Sequence, residues 1–218
     1  MNLAAIEQSA TGFFGAEQKD ARRIFHGRGH LHPDLEHVCV DWYPPLLLIT
    51  AYAEIDDVAG LTDILLKADV NKQVLTIVLQ KRYEKGAPAE ILHGTELIQL
   101  IVTEGTLRFE VRPGAQQNNG LFLDMRCLRS WLLENSSDAN VLNLFAYTCS
   151  LSVAALAGGA RSVTNVDMSK PSIKWGEHNH VLNEQNLESV KSIPHNLFKS
   201  WGRIKQFGRY DLVIIDPP

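Results

Sequence analysis

Cysteine is scarce in this sequence: Cys39, Cys127 and Cys149 are the three among 218 residues, with neither paired spacing nor a CxxC pattern. A disulfide framework and a thiolate zinc site are not indicated, and a reducing compartment is implied. Basic charge is not in excess either. Twenty-one Lys and Arg stand against 25 Asp and Glu, a formal net charge of -4, so any nucleic-acid contact needs a local basic patch. Long apolar runs are missing; the longest is the short Pro44 to Thr50 stretch, far below membrane-spanning length. No basic region followed by an apolar core opens the chain, and Glu7, Glu17, Lys19 and Asp20 come early. The expectation is a cytoplasmic protein with no membrane partner.

What is present is a globular composition, 45% hydrophobic and 21% charged, long enough for one large domain or two small ones. Residues 1–35 hold scattered apolar residues and a cluster of His26, Gly27, Gly29, His30 and His32. No carboxylate or cysteine completes a ligand set at recognised spacing, so the cluster reads as a polar loop and the segment as an N-terminal extension. Val38 to Trp42 and Leu46 to Tyr52 flank a Tyr43-Pro44-Pro45 turn signal and predict a hairpin. Asp56 or Asp57 can cap a helix carrying Val58, Leu61, Ile64, Leu65 and Ala68 at helical spacing. Val74 to Leu79, Leu97 to Val102 and Leu107 to Val111 read as strands, with turn chemistry at residues 84–88 and 112–120. Residues 36–118 are therefore read as a small α/β domain.

Past that boundary, Leu123 to Leu133 can form a helix, and then strands and helices alternate. Strands are predicted over Val141 to Phe145, Ser162 to Val166, Val190 to Ile193 and Leu212 to Ile215; helices over Leu151 to Ala157 and about Pro171 to Leu182, the latter capped by Ser169. This rhythm implies a doubly wound parallel sheet over 119–218, whose ligand sits outside the carboxyl ends of the strands where their order reverses. The Val141 strand is expected between those ending at Val166 and Ile215.

Three loops then carry the chemistry. Phe145-Ala146-Tyr147-Thr148-Cys149-Ser150 follows the first strand and opens a helix, but it lacks the GxGxxG spacing with which a backbone approaches a pyrophosphate. Asp167, ending the second strand before Met168, can accept both hydroxyls of a ribose or simply begin the next helix cap. Asp216-Pro217-Pro218 ends the fourth strand; its prolines fix φ and hold the carboxylate on a stiff corner.

In combination, the segment Val141-Leu142-Asn143-Leu144-Phe145-Ala146-Tyr147-Thr148, the Val166-Asp167-Met168-Ser169 strand end and Ile215-Asp216-Pro217-Pro218 resemble motifs of class I S-adenosylmethionine-dependent ribosomal RNA methyltransferases. The resemblance is nearest to the guanine-N7 methyltransferase half of the bifunctional bacterial 23S rRNA enzyme; the 23S cytosine-C5 enzymes are more distant. Gly120-Leu121-Phe122-Leu123-Asp124-Met125-Arg126 resembles the lead into the catalytic domain, and Val38 to Tyr43 with Gln80 to Gly86 resemble the preceding small domain. The likeness runs from about Val38 onward.

It implies a Rossmann-like fold, S-adenosylmethionine as cofactor and ribosomal RNA as substrate. Phe145 to Ser150 (Phe145, Ala146, Tyr147, Thr148, Cys149, Ser150) would wrap the methionine part, Asp167 the ribose with Met168 against the adenine, Asn196 the adenine amino group, and Asp216 would lie beside the transferring methyl as catalytic residue; Asn143 and Pro217 count with them as cofactor-binding. Two positions depart from the resembled pattern: Cys149 stands where glycine is usual, and Asn196 where aspartate is common. The sequence stops at Pro218, so the sheet is expected to be incomplete after its fourth strand. Guanine N7 carries its own lone pair, whereas cytosine C5 needs a cysteine nucleophile, a role assigned to none of the three cysteines.

RNA contacts are expected from Lys81, Arg82, Lys85, Arg108 and Arg112, each of which also fits a solvated charged face; Trp175 and Trp201 fit core packing better than base stacking. Two other readings stay open: a non-catalytic RNA-binding or assembly protein retaining the fold, and a nucleotide-dependent oxidoreductase.

Overall fold

A computed structural model describes residues 3–114 and 117–217, so Pro218 of the Asp-Pro-Pro string, and Ala115 and Gln116 within the 112–120 turn, lie outside the described residues. The chain divides into two compact units, residues 1–105 with 111–119 and residues 106–110 with 120–218.

The first unit contains α1 (Ala4–Phe14), β1 (Arg22–His26), β2 (Val38–Tyr43), β3 (Leu46–Ala51), α2 (Val58–Ala68), β4 (Thr76–Lys81), β5 (Ala89–His93) and β6 (Leu100–Glu104). Strands β1 to β5 form one sheet in chain order, antiparallel except where α2 carries the chain from β3 to a parallel β4. Strands β2 and β3 are buried along their whole lengths. Val38, Val40 and Trp42 lie opposite Ala51, Ile49 and Leu47, and Ile77 and Leu79 continue the row. That face packs with Ile6, Ala10 and Phe14 of α1 and Leu61, Leu65 and Ala68 of α2. Full burial of a side chain such as Phe14 stabilises by roughly 1.5–3 kcal/mol. Asp57 caps α2, its carboxylate accepting the Gly60 N–H at 2.8 Å. The hairpin, α2 and β4 follow the sequence pattern, whereas α1, β1 and β5 are elements that pattern did not assign.

The second unit takes in β7 (Leu107–Val111) as far as Glu110, then α3 (Arg126–Asn135), β8 (Asn140–Leu144), α4 (Ser150–Ala157), β9 (Ser162–Asp167), α5 (Lys170–Leu182), β10 (Val190–Pro194), α6 (Trp201–Gln206) and β11 (Leu212–Ile215). Its four-stranded sheet has the order β10-β9-β8-β11 and every pair is parallel. The Val141 strand thus lies between those ending near Val166 and Ile215, as the alternating pattern requires. Leu142, Leu144, Val166 and Ile193 pack with Ile204 of α6 on one face. On the other face, Asn143 and Asn165 meet α4 and α5. No helix among the described residues is long and apolar enough to cross a membrane.

Candidate active site

Strand order reverses between β8 and β11, and register puts the strand ends level there: Leu144 pairs with Val166 and with Ile215, and Val166 with Ile193. Phe145, Asp167 and Asp216 are the next residues out, so three of the four strands deliver a predicted site residue to one edge. This is where a doubly wound sheet holds its ligand.

The loop after β8 is unusual in backbone. Phe145, Tyr147 and Cys149 all have positive φ, at 57°, 46° and 59°, without a glycine among them. Each such residue costs on the order of 1 kcal/mol or more, so the surroundings must hold the loop. They do. Ala146 N–H donates to Val166 O at 3.0 Å and Cys149 N–H to Ala146 O at 2.7 Å. Thr148 Oγ1 donates to Gly120 O at 2.6 Å, while its own carbonyl accepts from Asn179 Nδ2 at 2.9 Å. Asp167 contributes most directly: Oδ2 accepts the Tyr147 N–H at 2.9 Å and Oδ1 the Ser169 N–H at 2.8 Å. Both oxygens are aimed by backbone and keep lone pairs for further donors. Asp167 therefore orders the loop, while the cap of α5 falls to the residue two further on. Ser169 caps α5 with its own hydroxyl, which accepts from Ser172 N–H at 3.2 Å.

Cys149 opens α4 in the left-handed region and offers it no side-chain cap. Its side chain is buried against α5, where Gly176 makes room: a Cβ at 176 would stand 2.3 Å from Sγ. Burial first, then the charges of Asp167 and Glu177, push this thiol well above the usual cysteine range. It is a neutral packing residue, in keeping with assigning it no nucleophilic role. Ser150 begins α4 and is half-buried.

Asp216 and Pro217 sit at the β11 corner, Asp216 half-buried and Pro217 exposed. Burial, and after it the charge of Asp124, push the Asp216 carboxyl above the usual carboxylate range. Met168 is 71% exposed beside Asp167. Asn196 lies after β10, where its Oδ1 accepts the Phe198 N–H at 2.9 Å. That turn leaves Phe198 76% exposed, a second open apolar side chain past a strand end.

Asn143 is the predicted residue that the structure does not bring to the edge. It lies within β8 and is buried, with Nδ2 donating to Ser152 Oγ at 2.8 Å. Ser152 bonds Asn165, and Asn165 approaches His180. The period of 2 explains this: Leu142 and Leu144 face α6, so Asn143 must face α4. The sequence reading also missed Asp124 and Phe198. Asp124 stood in a quoted motif, but only the folded chain shows that its charge reaches Asp216.

A parallel sheet of this order, with carboxylates at the ends of its first crossover's far strand and of its reversed strand, defines a Rossmann-like nucleoside-binding domain. The S-adenosylmethionine-dependent methyltransferase family matches residues 22–218, and the chain belongs to it. The oxidoreductase reading falls with that assignment. Among relatives, "Ribosomal RNA large subunit methyltransferase K/L" of Pseudoalteromonas translucida (strain TAC 125) is 34% identical over 203 residues, covering 84% of this chain and 27% of that protein. "Ribosomal RNA large subunit methyltransferase I" of Alteromonas mediterranea is 35% identical over 129 residues, 59% of this chain and 32% of that protein. This chain thus spans about a third or less of their lengths. A methyltransferase crystallised in complex with SAH aligns at a TM-score of 0.81 and 25% identity, covering 100% of this chain and 58% of that one.

Proposed function

We propose that this chain supplies the S-adenosylmethionine-binding portion of an enzyme that methylates a base of large-subunit ribosomal RNA, with guanine N7 as the favoured atom. The carrying observation is Asp167, whose two oxygens are aimed by the Tyr147 and Ser169 N–H groups at the edge that also presents Asp216. Residues 119–218 serve the cofactor, and residues 36–118 position RNA. The relatives named for ribosomal RNA support the substrate class, and such a substrate is met in the cytoplasm.

The residues present fit the cofactor chemically. The backbone-anchored Asp167 carboxylate accepts ribose hydroxyls, and Met168 and Phe198 offer apolar surface to a purine. Asn196 retains acceptor capacity for an exocyclic amine. Residues Phe145 to Ser150 hold the amino-acid end by backbone shape, since Thr148 has already committed its hydroxyl to Gly120. Bound S-adenosylmethionine supplies an activated methyl, so the protein's task is alignment. Asp216, on the corner that ends β11, would set its carboxyl oxygens beside the positive charge that passes from sulfur to the guanine ring. No proton need leave N7, and no cysteine adduct is required.

The test has two arms. Calorimetry should show S-adenosylhomocysteine binding in preference to NAD; the reverse order would overturn the cofactor assignment. Tritium transfer from S-adenosylmethionine to unmodified ribosomal RNA should fall at least tenfold in Asp216→Asn with S-adenosylhomocysteine binding nearly kept, a loss of about 1.4 kcal/mol in transition-state stabilisation. Cofactor binding without transfer by the native enzyme would favour a non-catalytic RNA-binding protein.

A further inference from the structure

We propose that Arg28, Tyr52 and Arg82 of the first unit form a contact for the phosphodiester backbone of RNA. The inference rests on the ribosomal RNA reading above and names the surface that holds the substrate. All three residues leave the same end of the five-stranded sheet. Strand β1 ends at His26, two residues before Arg28; β3 ends at Ala51, just before Tyr52; β4 ends at Lys81, just before Arg82. Ala51 and Lys81 are level in the parallel β3–β4 pair, so Tyr52 and Arg82 emerge side by side.

The backbone fixes each of them. Tyr52 N–H donates to His37 O, and Arg82 N–H to Ala51 O, both at 2.8 Å. Arg28 is presented by a 3-10 turn over Gly27–Gly29, pinned so closely that a Cβ on Gly27 would lie 1.7 Å from Leu35 O. The Arg28 guanidinium carbon stands 4.4 Å from the centre of the Tyr52 ring and that of Arg82 stands 5.8 Å from it. Arg82 also donates to the Tyr52 hydroxyl at 3.4 Å, to the Gln117 carbonyl and to the Asn118 side chain.

Every one of these partners is neutral. Neighbouring cations are neutralised, Arg23 by Asp41 at 2.7 Å and Lys81 by Glu90 at 2.9 Å, but neither Arg28 nor Arg82 meets a carboxylate among the described residues. Glu54, Asp56 and Glu84 lie in flanking loops and pair with neither. In a chain with a net charge of -4, two uncompensated guanidiniums organised on one aromatic ring are a local exception. Both place positive charge around one ring, and an anion beside that ring is attracted by the field of each. The exposed Arg28 fork suits phosphate oxygens bidentately and its flat face accepts unpaired bases, while Arg82, with its Nη2 hydrogens held by Gln117 and Asn118, contributes chiefly its charge. A solvated charged face requires neither the shared ring nor the absence of counter-charge.

The experiment titrates the 218-residue chain with a fluorescein-labelled single-stranded RNA oligonucleotide, by anisotropy, across a series of KCl concentrations. Arg28→Gln/Arg82→Gln should weaken binding roughly tenfold at low salt and flatten the slope of log K against log salt by about 1.4, two contacts at 0.7 each. S-adenosylhomocysteine affinity should stay unchanged, and a native far-UV circular dichroism spectrum and urea unfolding curve show that the first unit of the variant is folded. Arg28→Gln alone alters an exposed side chain and should produce about half of the slope change. Unchanged RNA affinity and slope in both variants, with the native chain binding RNA, would overturn this contact and leave the methyltransferase reading intact. A native chain that binds S-adenosylhomocysteine but no RNA would overturn both this contact and the RNA substrate. Polyglutamate binding as tight as RNA, and lost in the same variants, would overturn the assignment to RNA.

Discussion

The Asp167 carboxylate accepts the backbone N–H of Tyr147, twenty residues earlier, at 2.9 Å. One side chain thereby ties the loop after β8 to the end of β9, so a change at Asp167 should disturb loop order together with any ligand held at this edge.

Asp167→Ala should weaken S-adenosylhomocysteine binding on the order of tenfold or more, for a loss of roughly 1.5–3 kcal/mol from a charged acceptor. It should also release Tyr147, so amide exchange at Tyr147 should rise. Asp167→Asn retains one acceptor oxygen and should fall between the two in affinity by calorimetry. An unchanged dissociation constant in folded Asp167→Ala would remove the residue from the site.

Gly176 and Cys149 occupy one space. A methyl at 176 would come within 2.8 Å of Cys149 Cβ, so Gly176→Ala should destabilise by about 1–3 kcal/mol in urea unfolding. Adding Cys149→Gly removes the two nearest atoms and a left-handed non-glycine residue at once, leaving the Thr148 carbonyl carbon at 3.1 Å. The double variant should recover most of the loss. Strict additivity of the two changes would show that they do not share the space.

His180 is fully buried, with Nδ1 2.6 Å from Gln185 Oε1 and Nε2 3.5 Å from Asn165 Nδ2. Burial lowers its pKa, outweighing the Gln185 bond and the charge of Glu177, which act upward. Above the usual histidine value both folded and unfolded chains are neutral there and nothing changes with pH. As pH falls through that value the unfolded chain takes up a proton first, so stability declines, by at most about 1.4 kcal/mol per unit until the folded pKa is reached. His180→Gln should be less stable near neutrality yet show a shallower decline on acidification. Parallel denaturation curves for the two proteins across that range would rule the residue out.

Much of the second unit was legible because its strands are apolar, its crossovers alternate and Ser169 caps α5. Asp167 and Asp216 could be placed at strand ends from pattern alone. Asn143 could not be read as buried from a motif string; only its phase against Leu142 and Leu144 shows which face it takes. Helix α1 carries Ile6, Ala10 and Phe14 at a spacing of four, a signal that was present but diluted by polar neighbours. Strand β5 gave none, since four of its five residues are exposed and no alternation marks it. The Arg28–Tyr52–Arg82 cluster was half-visible through Arg82. Its other members are far apart in sequence and meet only through strand register.

The order of strands has a kinetic consequence. Among the described residues strand β11 pairs with β8 alone, and the bond from Asn140 N–H to Asp211 Oδ2 spans 71 residues, whereas β8 and β9 lie one short helix apart. Closing so large a loop is entropically slow, and pairing of this kind forms late. The crevice at the reversal of strand order therefore matures after the rest of the sheet, and refolding should regain sheet structure before it regains ligand affinity. Pulse-labelled exchange can time this: protection of Leu212–Ile215 amides should trail that of Val163 to Val166, and simultaneous protection would refute the sequence of events.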